Sequence, residues 1–342
     1  MDLLPLPNLL LPWYAENRRD LPWRRDREPY HVWLSEIMLQ QTRVEAVRGY
    51  YLRFLEALPT VRALAVCDED RLHKLWEGLG YYARVRNLKK AAQVICETYD
   101  GVFPTDYAAA RALPGIGDYT AGAICSICYG QSTPAVDGNV LRVVTRLEAS
   151  FDSITSPGTK RAITEELREI YPAGRCGDFT QALMELGAMV CLPNGEPHCT
   201  ECPAAALCLS RAEALYRTIP VKERKKPRRV EKKTVFLLRC GDLWAVRKRT
   251  EPGLLSGLWE FPNVPGILTA QEALRQAEAW ECHPRELIKS VGKTHIFTHI
   301  QWELTGYYLD CGEASPRFRW ADRTALDRDV SLPTAFRQFR EA

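Results

Sequence analysis

Residues 113–124 read LPGIGDYTAGAI. Apolar residues at helical spacing flank a Gly-x-Gly pair, which predicts one helix near Ala108–Leu113, a tight turn, and a second helix over Thr120–Tyr129. Gly115 and Gly117 are expected to let the backbone bend sharply and approach another surface closely. The first amides of the second helix have no partners inside it, and can bind a phosphate. Gly-x-Gly alone also joins ordinary helices; the full string favours nucleic-acid contact.

Outward from this hairpin, residues 30–215 carry apolar positions at three- and four-residue spacing with Pro or Gly punctuation. Helices are predicted over Tyr30–Val47, Val61–Ala65, Asp70–Leu79, Arg86–Thr98, Val140–Arg146, Lys160–Ile170 and Phe179–Val190. After Lys233 the pattern changes. Strands are predicted at Thr234–Leu238, Leu243–Lys248, Lys289–Val291 and Thr305–Tyr308, with a helix around Ala270–Trp280. The chain therefore reads as multidomain: an all-α domain over residues 1–215, a linker over 216–232 and a small α/β or α+β domain over 233–342.

The linker region is basic. Lys222–Lys233 holds eight basic and two acidic residues, so it carries +6 and leaves −3 for the rest of a chain whose net charge is +3. Such a concentration suits contact with a polyanion, although a solvated basic linker has the same composition. Hydrophobic residues make up 46% and charged residues 26%, as in ordinary globular proteins. No apolar run approaches the ~20 residues of a membrane span. Met1–Leu11 is leucine-rich, but Asp2, Pro5 and Pro7 interrupt it and no basic segment precedes it, so it does not read as a signal peptide. The expectation is a monomer in a reducing, cytoplasmic compartment with no membrane association, where twelve cysteines need an explanation other than disulfides.

Four of them supply one. Cys191-x7-Cys199-x2-Cys202-x5-Cys208 gathers four thiols into eighteen residues. Thiolates in such a loop are the usual ligands of an iron–sulfur cluster. A four-cysteine zinc site is the rival, but zinc ribbons generally use two CxxC knuckles and only Cys199–Cys202 is present here. Cys125 and Cys128 also form a CxxC, but within an apolar helix, where packing is the expected role.

Two acidic residues stand out. Glu36 lies among Trp33, Leu34, Ile37, Met38 and Leu39, and on a continuous helix it would share a polar stripe with Gln40 and Arg43. Partly buried, it would have a raised pKa suited to a general acid; facing solvent beside Arg43, it would be an ordinary surface residue. Asp137, in PAVDGNV (134–140), precedes a helix and can cap it, act as an ionised site group, or both.

Together these motifs resemble the endonuclease III superfamily of DNA glycosylases, whose helix-hairpin-helix, downstream aspartate and Cys cluster they match. SEIMLQQTRV (35–44), WEGLGYYARVRNL (76–88) and VDGNV (136–140) resemble its adenine DNA glycosylase branch. The resemblance implies an all-α helix-hairpin-helix glycosylase domain with a [4Fe-4S] cluster on Cys191, Cys199, Cys202 and Cys208. The first interval is one residue longer than the family's usual six. It implies that Glu36 protonates the leaving adenine and helps activate water, while Asp137 stabilises the oxocarbenium-like sugar. Tyr119 and Asn139 match residues supporting that site. Tyr119 stands where bifunctional relatives carry a Schiff-base lysine, which implies base removal without strand cleavage. Gln41 and Tyr81 match positions that wedge into the base stack, Trp23 and Arg24 line the adenine pocket, and Gly115 and Gly117 form the DNA-binding hairpin.

The C-terminal part resembles the branch's Nudix-like domain, which inspects 8-oxoguanine. GLWEFP (257–262) matches its fold signature, and Phe297, Thr298 and His299 correspond to the family's Phe-Ser-His loop. EALRQAEAW (272–280) stands where a catalytic Nudix helix would need several carboxylates for magnesium, which implies recognition rather than hydrolysis. The implied partner is double-stranded DNA bearing 8-oxoG:A or G:A mispairs. A mismatch thymine/uracil or endonuclease III-like pyrimidine glycosylase, and a non-catalytic DNA-binding protein, are the alternatives.

Overall fold

A computed structural model describes residues 3–223, 227–251 and 253–340. Arg224, Lys225 and Lys226 of the basic stretch lie outside them. Contacts divide the chain into two compact units. The first comprises the described parts of Met1–Val66 and Arg86–Arg224; the second joins Cys67–Val85 to the described parts of Lys225–Ala342. The WEGLGYY stretch, which sequence reading places within residues 1–215, thus packs with the C-terminal sheet.

The helices of the N-terminal two thirds are α1 Leu6–Asn17, α2 Pro29–Leu39, α3 Val44–Ala57, α4 Val61–Val66, α5 Glu69–Leu75, α6 Ala83–Thr98, α7 Tyr107–Arg111, α8 Asp118–Tyr129, α9 Gly138–Leu147, α10 Pro157–Glu169, α11 Cys176–Met189 and α12 Leu209–Ala212. The leucine-rich start is helix α1, burying Leu6, Leu10, Leu11 and Tyr14 in a core with α9, α10 and α11. Pro12 sits on its solvent side, where the carbonyl it leaves unpaired can reach water.

The single helix expected over Tyr30–Val47 is two. α2 stops at Leu39, Gln41 takes a left-handed conformation (φ 57°), and Arg43 is the N-cap residue of α3. The proposed Glu36–Gln40–Arg43 stripe therefore does not exist as a helical face. No Gly or Pro marks the break, so periodicity alone runs through it.

In the second unit the strands are β1 Arg229–Cys240, β2 Leu243–Lys248, β3 Trp259–Glu260, β4 Asn263–Pro265, β5 Pro284–Ile296, β6 Ile300–Cys311 and β7 Arg319–Ala321, with helices α13 Ala270–Ala279, α14 Arg323–Arg328 and α15 Thr334–Arg337. They form a mixed sheet of order β3-β2-β1-β6-β5, with β4 on β1 and β7 on β2. β1 runs parallel to β6, whereas β5 and β6 are antiparallel. β1 begins inside the expected linker, at Arg229 opposite Ile300. Side chains of β1 alternate between two cores: Val235 and Leu237 face one, Phe236 and Leu238 the other. A strand covered on both faces reads as a continuous apolar run, which is why TVFLL is legible without alternation. Among the described residues no helix is long and apolar enough to cross a membrane.

Candidate active site

The turn before α8 fixes the site's first wall. Gly115 has φ +77°, and a Cβ there would lie 2.6 Å from Asn87 Cβ, so only glycine fits against α6. Gly117 differs from expectation. It caps α8 at φ −100° with no neighbour within 4 Å of a built Cβ, so its backbone needs no glycine and faces open space. Two residues on, the Tyr119 phenol donates to Glu36 Oε2 of α2 at 2.5 Å, with Met184 Sδ 3.7 Å away.

Glu36 is 7% exposed, so the buried alternative holds rather than the solvent-facing one. Burial first, then the neighbouring Asp137 charge, push its carboxyl up to about 7; the Tyr119 hydrogen bond and Arg24 pull the other way. The Tyr119 phenol is raised well above its ordinary value by burial and by Glu36, so it stays a donor.

Asp137 is the N-cap of α9, accepting from the amides of Asn139 (2.9 Å) and Val140 (2.8 Å) through Oδ1 and from Asn139 Nδ2 (2.8 Å) through Oδ2. Burial pushes its carboxyl above the usual range, against those donors and the Arg142 guanidinium. Asn139 is held in turn. Its Oδ1 accepts from Arg142 Nη2 at 2.9 Å, and a Cβ on Gly187 of α11 would lie 2.6 Å from Asn139 Cβ, so α11 closes onto it only because residue 187 is glycine.

Glu36, Tyr119, Asp137 and Asn139 line one cavity of about 720 Å³, together with Trp23, Arg24, Gln41 and Gly117. Sequence reasoning missed Glu185 on its wall. Fully buried, it accepts from Arg19 Nε (2.7 Å) and Arg24 Nη2 (2.7 Å). Burial alone would raise its carboxyl, but the arginines bring it down to about 2. The signal was available: FTQALMELGAMV (179–190) is a charged residue in an apolar helix, the pattern that singled out Glu36.

Other expected residues gather in the second unit. Tyr81, half exposed at φ +48°, accepts from Thr298 Oγ1 at 3.5 Å across 217 residues of chain. Phe297 stacks edge-on against His295 and Trp302, while Thr298 and His299 are exposed at the β5–β6 turn. Glu260 of the GLWEFP string is buried between Arg247 and Arg249.

The thiols of Cys191, Cys199, Cys202 and Cys208 line a single cavity walled by Val143, Leu147, Leu186 and Val190. Arg146 Nη1 lies 3.3 Å from Cys191 Sγ, and Arg142 Nε donates to the Cys191 carbonyl at 2.8 Å. Among the described residues no three His, Cys, Asp or Glu are gathered closely enough for a single metal ion. Four thiols lining one cavity, with a guanidinium beside one sulfur, are a donor set of the kind an iron–sulfur cluster takes.

Comparison with known proteins follows the two units. Residues 34–172 match the HhH-GPD superfamily base excision DNA repair proteins, and residues 234–342 match the NUDIX domain. The adenine DNA glycosylase of Homo sapiens is 36% identical over 360 residues, covering 88% of this chain. The chain spans 66% of that human protein's length. The adenine DNA glycosylase of Schizosaccharomyces pombe is 32% identical, covering 97% of this chain and 88% of its own length. Among solved structures, a thermostable thymine-DNA glycosylase is similar with a TM-score of 0.55 and 27% identity, over 61% of this chain and 95% of that one.

Proposed function

This chain belongs to the adenine DNA glycosylase family, and from that premise we propose that it is a monofunctional base excision repair glycosylase that hydrolyses the N-glycosidic bond of adenine mispaired with 8-oxoguanine or guanine. One observation carries the reading: Glu36 and Asp137 share a cavity but differ in their donors, which suits one as acid and the other as anion. Glu36, near pH 7 about half protonated, gives its proton to the departing base and, then ionised, takes one back from the water that adds to the sugar. Tyr119 occupies Oε2, which leaves Oε1 as the oxygen that carries the proton. Asp137, held by three N–H donors, faces the positive charge that develops on the sugar. Asn139 orients Asp137, and Tyr119 stands where an imine-forming lysine would, so that position supplies no nucleophile for strand cleavage.

The 720 Å³ cavity can take a base only after it leaves the duplex. Trp23 and Arg24 form the pocket for the extruded adenine, and the hairpin at Gly115 and Gly117 contacts the backbone phosphates. Gln41 and Tyr81 wedge into the stack. Phe297, Thr298 and His299 read 8-oxoguanine opposite, within a Nudix-like domain that binds without hydrolysing. A [4Fe-4S] cluster on Cys191, Cys199, Cys202 and Cys208 would cross-link the loop between α11 and α12. The division into a glycosylase domain, a basic linker and a Nudix-like domain, a monomeric state and an intracellular, DNA-associated location all belong to the same proposal.

A thymine-directed reading draws on the similarity to the thymine-DNA glycosylase structure, which covers 61% of this chain. Single-turnover excision on duplexes carrying 8-oxoG:A, G:A, G:T or oxidised thymine separates the two. Adenine release from the first two, with strand breaks only after alkali, is expected. Faster thymine release, or nicking without alkali, refutes the assignment.

A further inference from the structure

Within the second unit, two neighbouring charges anchor the Cys67–Val85 segment to the chain that follows α14. Glu77 Oε1 accepts from the Leu332 amide at 3.0 Å, and its Oε2 accepts from Lys74 Nζ at 2.6 Å. Lys74 Nζ also donates to the Val330 carbonyl at 3.1 Å. The two side chains are only 22% and 13% exposed, so solvent screens these bonds weakly. Val330 and Leu332 are buried in the core that contains Trp302, and Phe297 packs on that core with its ring 4.9 Å from Trp302. The anchor therefore grips the same core that carries the β5–β6 turn. Beyond Glu77, the Trp76 indole donates to the Gly80 carbonyl at 3.1 Å. Arg84 Nη2 donates to the Leu79 and Gly80 carbonyls at 3.0 and 3.2 Å, with its guanidinium 5.4 Å from the Tyr81 ring centroid. These bonds tie Tyr81 to the turn of chain that Glu77 holds.

We propose that Lys74 and Glu77 are positioning residues that hold Tyr81 in register with Thr298, and so set the preference for 8-oxoguanine over guanine opposite adenine. That role rests on the reading of Phe297, Thr298 and His299 as the 8-oxoguanine contact. Tyr81 and Thr298 meet through one hydrogen bond of 3.5 Å, longer than an ordinary O–H···O bond and too weak to hold a loop by itself. What lies behind each residue must place it: the Leu79–Gly80 clamp and Glu77 behind Tyr81, the core at Trp302 behind Thr298. Neither Lys74 nor Glu77 lines the glycosylase cavity, so bond cleavage does not need them.

The test compares single-turnover excision from 8-oxoG:A and G:A duplexes by the full chain, by Glu77→Ala and by Glu77→Gln. Alanine removes both bonds of the carboxylate; glutamine keeps an acceptor for the Leu332 amide and loses the charge facing Lys74. Glu77→Ala should slow excision from 8-oxoG:A about tenfold, the factor a hydrogen bond to a charged group is worth, and leave the G:A rate unchanged. Glu77→Gln should recover most of that loss. Thr298→Ala combined with Glu77→Ala should cost no more than the larger single effect, because both act on one contact. Equal slowing on the two mispairs, or fully additive losses, would make Glu77 an ordinary stabilising residue and overturn the proposal. Hydrogen exchange without DNA judges the anchor separately. The Leu79 and Arg84 amides, bonded to the Trp76 and Tyr81 carbonyls, should exchange faster in Glu77→Ala, and unchanged exchange overturns the anchor. A wild-type chain that excises from both mispairs at one rate would instead refute the 8-oxoguanine reading, and with it the specificity role, whatever the exchange shows.

Discussion

Glu36→Gln tests the burial of the acid without relying on catalysis alone. Holding a carboxyl at about 7 instead of 4.5 costs its ionised form roughly 3 kcal/mol. A group whose folded pKa is raised contributes stability that is complete below its unfolded value and lost as pH rises through the folded one. Wild-type stability should therefore decline between pH 4.5 and about 7 by up to that amount. Glutamine keeps the volume, keeps a carbonyl to accept from Tyr119 and never ionises. The variant should match the wild type near pH 4.5 and exceed it at pH 8 by up to ~3 kcal/mol. At roughly 2–4 °C per kcal/mol for a domain of this size, the gain is visible in a thermal melt. Single-turnover excision should vanish while duplex affinity stays. A stability difference that does not change with pH, or a variant less stable than wild type at pH 8, would show that Glu36 is not a buried acid.

Three further outcomes are expected. Tyr119→Phe removes a hydrogen bond that lowers the Glu36 carboxyl, so the alkaline limb of the single-turnover pH profile should move above pH 7; an unmoved or lowered limb contradicts the pairing. Gly187→Ala forces a methyl against Asn139 and should destabilise by about 1–3 kcal/mol while slowing excision, read by melting and rate together. Cys202→Ser should remove the visible absorbance and about four irons per chain and lower stability; a colourless wild-type protein with one zinc would exclude the cluster.

Much of this was legible from local patterns, and what was not depended on long-range contact. The hairpin string announces itself because Gly115 must be glycine on backbone grounds alone. Asp137 is equally local: Asp followed by an apolar-periodic stretch is a cap signal, and the cap is formed. Glu36 was ambiguous because its burial is decided by Tyr119, 83 residues away, and by a helix break without Gly or Pro. The start of the chain resisted for the opposite reason, since Pro12 argues against a helix unless its solvent-side position is known. Tyr81 and Thr298 were each singled out, but nothing in either neighbourhood foretells that Cys67–Val85 packs with the C-terminal sheet.

The glycosylase cavity holds three carboxylates, Glu36 and Glu185 buried and Asp137 partly so, and their donors sort them. All three are pushed toward the neutral form by burial. Glu185 receives two guanidinium groups and falls to about 2, so it is a permanent anion holding Arg19 and Arg24 in place. Asp137 receives three neutral N–H donors, which favour its ionised form and oppose burial without overcoming it. Glu36 receives one phenol and lies within the field of Asp137, so its proton is the one free to move near neutral pH. Replacing Asp137 by Asn removes that field while preserving a competent N-cap. Glu36 should then titrate lower, and its alkaline limb should shift opposite to that of Tyr119→Phe. Two substitutions around one acid that move it in opposite directions would tie the proton to Glu36 rather than to any other group lining the cavity.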